Sequence, residues 1–453
     1  MAIILYYTII FIAVILLIVD RKKLLYYFMF LYPILPEYCA VSFSVSLPLF
    51  TVARMILLVL AIGALLWKRG KMRFSVFRNN KLGKALLFFF LCETICFIAH
   101  INDNDSVKEY IGILLENLML LIILTNIVDS KKTLDKCLQV LTASAGFVFI
   151  FAMAEPILNV NLPILLLDTG SRENMLIGSY ERYNSVRASF SFGHAIALGV
   201  YCVAMLPLIM YQRKRIKKPL YSVTYMIGIG CLLLTMSRGV IVIFAIVFLL
   251  QVFQLSKEER REYFRITGIM CLLGLTIMLF TPGLFSTLQD VVFGTLNAFG
   301  AKFTVSSSGG NEFAILSRMS QLTMLPQVFK TNSYLFGGGT GYIGKNTIYV
   351  YLTNSSFVAR SIDIEYLSLL IDKGICGLIG TIVLYFSLIK STWKEYKNNH
   401  DILSKAFFFS FFSIFLSYLT VAQLTTGKIL WILISLYYCW IRLNYFEKKE
   451  IYQ

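Results

Sequence analysis

Charged residues are scarce: aspartate, glutamate, lysine and arginine make up 15% of the 453 residues, against 58% hydrophobic ones. A soluble domain holds about 25% charged and 45–50% apolar residues, so a soluble globular protein is excluded. Histidine is scarcer still. His100, His194 and His400 are the only three, far apart in the chain, and the nine cysteines lie mostly inside apolar runs without metal-ligand spacing. Neither a zinc site nor a disulfide framework is expected. The acids show no clustering spaced for a divalent ion, so no metal and no cofactor is expected. Also missing are an internal repeat and, after the first apolar run, a small-residue cleavage site; that run leads straight into Arg21-Lys22-Lys23 and reads as a retained span. The run Gly337-Gly-Gly-Thr-Gly341 lacks the lysine of a phosphate-binding loop. That excludes a nucleotide site there and leaves the run as flexible punctuation.

What the chain has in quantity is apolar runs of membrane-crossing length. They fall near 2–19, 24–40, 47–67, 85–101, 109–128, 134–154, 193–211, 219–235, 239–254, 264–285, 366–389, 404–421 and 428–441. The second is interrupted by Pro33 and Pro36, so the expectation is an all-α, polytopic membrane protein with about 12 transmembrane helices, residues 1–453 forming one membrane domain. Of the 42 lysines and arginines, 29 fall in every second connection: 21–23, 68–84, 131–136, 213–218, 257–265, 390–405 and 442–449. Basic loops stay inside, which puts these connections and the C-terminus in the cytoplasm. The excess over 25 acids is thereby a topology signal, and no nucleic-acid partner is expected. Two connections are long, 155–192 and 286–363, and both fall on the outer side. Loops of that length between helices are commonly functional.

Arg238 is the most informative single residue. It sits in Thr235-Met-Ser-Arg-Gly239 between two apolar runs, where a charge is costly unless hydrated or paired, and such residues are functional candidates. The outer loops add Arg187, Arg318 and Arg360, together with the carboxylates Asp363 and Glu365. Forked guanidiniums converging on one place would suit a phosphate or pyrophosphate, since each offers bidentate donors and a charge that does not titrate away. Arg54, inside a span, His194, at a helix opening, and Tyr366 are candidate sugar or lipid contacts. Snorkelling accounts for the first equally well, and a capping or packing role is the favoured reading of the second.

Four segments in order carry a resemblance. Leu233-Leu-Thr-Met-Ser-Arg-Gly239, Arg187-Ala-Ser-Phe-Ser-Phe-Gly-His194, Arg318 ahead of Leu335-Phe-Gly-Gly-Gly-Thr-Gly341, and Asp363 to Gly377 together resemble the O-antigen ligase and polymerase superfamily. The resemblance implies a glycosyltransferase acting on polyprenyl-pyrophosphate-linked oligosaccharide at the outer face of a bacterial cytoplasmic membrane, with a chain-length regulator as a possible partner. Ligases of that superfamily carry a His-Asn pair where this chain has Asp363-Ile364. With no histidine in the large loop, the resemblance is to the polymerase branch, which joins repeat units of O-antigen, capsule or exopolysaccharide. In that reading Arg187, Arg238, Arg318 and Arg360 clamp the pyrophosphate, and Asp363 or Glu365 deprotonates the acceptor hydroxyl. Ligation onto lipid A core or protein, and transport of a lipid-linked saccharide, are the alternatives.

Overall fold

A computed structural model of the chain describes residues 2–36, 39–42, 47–67, 81–162, 181–182, 185–255, 282–297, 303–304, 318–351, 356–359, 361–422 and 427–451, with scattered positions between 257 and 272. The expected run 264–285 and residue Arg360 lie largely or wholly outside these described residues. The rest is almost entirely helical. Its helices are α1 (Ala2–Val19), α2 (Arg21–Leu31), α3 (Val52–Trp67), α4 (Lys81–Ala99), α5 (Asn104–Ile127), α6 (Lys131–Leu158), α7 (Ala195–Ile216), α8 (Pro219–Leu234), α9 (Arg238–Phe253), α10 (Pro282–Asn297), α11 (Glu365–Asn399), α12 (Ile402–Ser417) and α13 (Gly427–Ile451). Among the described residues α4, α5, α6, α7 and α11 are long and apolar enough to cross a membrane, and six shorter apolar helices accompany them.

Polar residues between the apolar runs determine where the helices start. Asp20 accepts from the Lys22 and Lys23 amides, Asp103 from Ser106, Ser130 from Thr133 and Asp401 from Leu403 and Ser404, each satisfying first-turn N–H groups that hydrocarbon could not. Asn159, Lys217 and His400 close α6, α7 and α11 in the left-handed conformation. Two expected boundaries move. α6 runs on through Pro156 to Leu158, so Glu155 belongs to a helix and not to the first long loop, and α10 occupies the opening of the second. The sequence also suggests an amphipathic helix from 311 to 330, and its described part is helical from 318 to 328, changing to a 3-10 turn at Gln321–Met324 and back to an α turn at Leu325–Val328.

Buried α7 is the centre of the bundle, packed by α6, α8 and α12. Lipid tails are as apolar as leucine, so helix association relies on close packing and interhelical hydrogen bonds. Both are present: Ser410 donates to the Ala204 carbonyl at 2.7 Å, Ser144 to Phe30 at 2.6 Å and Ser191 to Pro33 at 2.6 Å. α4 and α11 meet where Gly380 faces Cys92, too close for any side chain on the glycine.

The connections sort to two ends. Lys22 pairs with Asp129 at 3.1 Å, Arg215 with Asp135, Lys405 with the Gln254 carbonyl at 3.2 Å, and Trp440 with Asp401 at 2.8 Å, so the connections 21–23, 131–136, 213–218 and 390–405 gather at one end with the start of 442–449. At the opposite end the described parts of the long loops, 185–192 and 318–351, fold onto the bundle. There α11 is broken at Gly374 (φ 64°, ψ −164°), and the glycine run threads the break. Gly338 and Gly339 donate to the Ile371 and Asp372 carbonyls at 2.9 and 3.0 Å, while Ile375 and Cys376 donate to Tyr334 and Leu335 at 2.9 and 3.0 Å. The run is therefore no flexible punctuation. It satisfies the backbone groups that the break exposes, as backbone at membrane depth must. A Cβ on Gly374 would lie 2.5 Å from the Leu335 carbonyl carbon, and one on Gly337 would lie 2.6 Å from the Ile371 oxygen.

Candidate functional site

Beside the break a cavity of about 330 Å³ opens between α4, α5, α11 and α13. Its charged lining comes from three helices. Glu93 is on α4, Glu109 on α5, and Glu365, Asp372 and Lys373 are on α11. Lys373 Nζ lies 2.8 Å from Glu93 Oε2 and 2.9 Å from Glu109 Oε1, so one cation ties the three helices together. The glycine run reaches the same network: the Thr340 hydroxyl donates to Glu109, and the Thr340 N–H donates to Ser106 Oγ at 3.0 Å. Asp372 in turn accepts from the Tyr342 amide at 3.2 Å. Phe89, Trp431 and Tyr385 form the apolar wall, with the Phe89 and Trp431 rings 5.4 Å apart between centroids.

The wall on α5 is irregular. Ile113–Met119 is wound as a π-helix, a form that recurs at functional sites, and its Ile113 and Asn117 face the cavity. Arg54 grips this stretch from α3: Nε lies 3.0 Å from Glu116 Oε1 and Nη2 3.3 Å from Oε2, while Nη1 donates to the Leu49 carbonyl. Its head packs over Gly112. Arg54 is thus held by Glu116 within the protein, where it braces a cavity wall.

At the end of the bundle where α11 begins, several of the sequence candidates meet. The Glu365 amide donates to the Tyr418 carbonyl at 3.1 Å, and Glu365 itself is buried, 5% exposed. Thr420, two residues beyond Tyr418, packs against Gly239, so the Ser-Arg-Gly turn and the head of α11 share one intervening turn. Three residues join α8 to α9: Thr235 caps α8 through its hydroxyl, buried Met236 takes φ +52°, and Ser237 precedes Arg238, the first residue of α9. Arg187 is buried on this turn, its Nε donating to the Thr235 carbonyl at 2.9 Å, and the Ala188 amide donates to Leu234 at 3.1 Å.

Arg318 approaches from the large loop. Its Nε is 3.9 Å from Asp363 Oδ2, and the Asp363 amide donates to Gln321 Oε1 at 3.1 Å. Asp363 remains about half exposed, 47% at its side chain. The two carboxylates proposed from sequence thus differ: Glu365 lines the cavity, whereas Asp363 stands outside it beside Arg318. Tyr366 donates to the Phe415 carbonyl at 3.0 Å and serves helix packing. His194 caps α7, its Nδ1 accepting from the Ile196 amide at 3.1 Å. Burial, with the nearby Arg187 charge, pushes its pKa down to about 4, so the ring is neutral at physiological pH and Nε2 carries the proton.

Glu93 and Glu109 lie outside the motif segments, and Asp372 and Lys373 lie inside one of them, Asp363 to Gly377, without being among its expected site residues. They were legible all the same, because ionisable residues within apolar runs are expensive and mark functional sites; each lies inside or at the edge of an expected span. Among the described residues no group of histidine, cysteine and acidic side chains is disposed to hold a metal ion. No protein-family model matches the chain, and no curated protein matches it.

Proposed function

We propose that this protein is a polysaccharide polymerase. It would join polyprenyl-pyrophosphate-linked oligosaccharide repeat units by glycosyl transfer at the outer face of a bacterial cytoplasmic membrane. About twelve crossings and a cytoplasmic C-terminus complete the picture, following the sidedness of the basic connections. The observation that carries the reading is the adjacency of Glu365, lining a sugar-sized cavity, to the turn that bears Arg238. A guanidinium on the first residue of a helix adds to the positive end of the helix dipole, and the combination suits an anion. Arg187 donates to the carbonyl of Thr235 on the same turn, and Arg318 stands beside Asp363, just ahead of α11.

In the proposed reaction the arginines hold the pyrophosphate and stabilise its charge as the anomeric C–O bond breaks, commonly the largest contribution to such a rate. Glu365 takes the proton of the attacking hydroxyl, and the leaving lipid pyrophosphate departs with the bonding electron pair. Its burial within reach of the cavity makes Glu365 the better base. Asp363 orients Arg318. Complementing a polymerase-null strain tests the idea, with surface glycan read as a ladder on a gel. Restored ladders support polymerisation; single capped units that fail only in attachment would point to ligation instead. Arg238→Ala and Arg318→Ala should each abolish the ladder at unchanged protein level, and full activity in either removes that residue from the clamp.

One observation favours a second reading. A helix broken at Gly374, with ionisable groups beside the break, is how many transporters build a substrate site. A saccharide transporter would move lipid-linked units in reconstituted vesicles without lengthening them, which the polymerase would not do.

A further inference from the structure

The cavity beside Gly374 has an uneven charge lining. Among the described residues four carboxylates face it, from Glu93, Glu109, Glu365 and Asp372, and one cation, Lys373. That cation is already engaged at 2.8 Å by Glu93 and at 2.9 Å by Glu109. Arg187, Arg238 and Arg318 are not among the lining residues. A ligand carboxylate or phosphate placed here would meet surplus negative charge and, among the described lining residues, no uncommitted counter-ion. The remaining polar lining is built of hydroxyls and an amide, Ser368, Thr340, Thr381 and Asn117, which exchange hydrogen bonds with sugar hydroxyls in either direction. The rings of Phe89, Trp431 and Tyr385 supply the apolar face against which a pyranose stacks.

We propose that the cavity is a sugar subsite that takes a neutral or amine-bearing pyranose and refuses a uronic acid or phosphorylated sugar. The inference rests on the glycosyl-transfer reading for its setting and adds the substrate class. An ammonium group on the ring would pair with Glu365 or Asp372. A uronate at the same place would feel like-charge repulsion worth at least about tenfold in affinity. The anionic part of the donor, its pyrophosphate, then belongs at the arginine-bearing turn, so that the two ends of one substrate are sorted by charge between two neighbouring regions.

Saturation-transfer difference NMR on the full-length protein in nanodiscs tests this with three probes: methyl glucoside, methyl glucosaminide and methyl glucuronide. The expected result is saturation transfer to the first two, with the glucuronide at least about tenfold weaker. The double variant Glu365→Gln, Asp372→Asn should narrow that gap, with methyl glucoside binding retained as the check that the cavity still folds. If methyl glucoside binding is lost, the single variants Glu365→Gln and Asp372→Asn are measured in its place. Equal or tighter binding of the glucuronide to the wild-type protein overturns the proposal, as does an absence of binding by all three probes. A negative glycan ladder with the expected sugar ranking would overturn polymerisation alone; a normal ladder with a preferred glucuronide would overturn this selectivity alone.

Discussion

Replacing Lys373 by methionine should destabilise the protein through the charges it leaves behind. Lys373 Nζ contacts Glu93 and Glu109 at 2.8 and 2.9 Å, and the Glu93 side chain is only 4% exposed while that of Glu109 is 35% exposed. Removing one partner of a buried ion pair costs about 3–5 kcal/mol, because the other is stranded without water or a counter-charge. The Glu109 contact is screened and adds at most about 1 kcal/mol, so nearly all of the loss should come from Glu93. Unfolding by SDS titration in mixed micelles measures it. Lys373→Met alone should lose about 3–5 kcal/mol, whereas Lys373→Met with Glu93→Gln should recover most of that, since a neutral amide no longer needs a cation. If Lys373→Met unfolds at the wild-type midpoint, or if Glu93→Gln gives no recovery, the network is not the buried junction described above.

Gly374→Ala should reduce the folded yield severely, because its φ of 64° and ψ of −164° suit glycine alone and the new Cβ would strike backbone of residues 335 and 336; a normal size-exclusion profile would contradict the threaded break. Glu155→Ala should cost about 3 kcal/mol or more, since fully buried Glu155 accepts from the Ser189 and Phe190 amides at 2.8 Å each and from Leu162 at 3.2 Å. Glu155→Gln, which keeps one acceptor oxygen, should cost less in the same SDS titration. The folded-state pKa of His194 is depressed to about 4 from an ordinary 6.5, so the unfolded chain binds the extra proton between those values and stability falls as pH drops through that window. The loss reaches about 2 kcal/mol at pH 5, and His194→Gln should flatten this part of the pH profile.

Much of the architecture was readable because its causes are local. Apolar runs specify α4, α5, α6, α7 and α11, aspartates or a serine cap α2, α5, α6 and α12, and the described basic connections gather at one end. The Ser-Arg-Gly turn stood out for the same reason, as a charge between two apolar runs. What stayed hidden depends on pairing between segments far apart in the chain. Nothing near Gly337 announces that its neighbours will bond to Ile371 and Asp372, and nothing near Glu93 announces Lys373, 280 residues later. Arg54 was visible as a charge, but its partner Glu116 sits on another helix, and lipid and protein contacts look alike without it. The misplacement of Glu155 has a related origin. A carboxylate next to Pro156 reads as a loop opening until the three amides that it accepts are known.

The threaded break also explains why a costly ion network would persist in the interior. A buried Lys–Glu pair is weak support for stability in itself, since apolar replacements often do as well. Here the same groups link the loop to the cavity. Thr340, in the glycine run, donates to Glu109, and Glu109 holds Lys373, which adjoins the broken turn that the run itself satisfies. Displacing the run would expose the Ile371 and Asp372 carbonyls, remove a donor from Glu109 and unsettle the cation shared with Glu93, all at once. Small shifts of the large loop are therefore resisted by several bonds together, and the loop and the cavity are held in one arrangement. Glu365 and the Arg318–Asp363 pair stand at the head of that same helix. Their spacing from the cavity wall is set by how α11 is held on either side of its break, so the glycines and Lys373 serve the site without touching a ligand at the arginine-bearing turn.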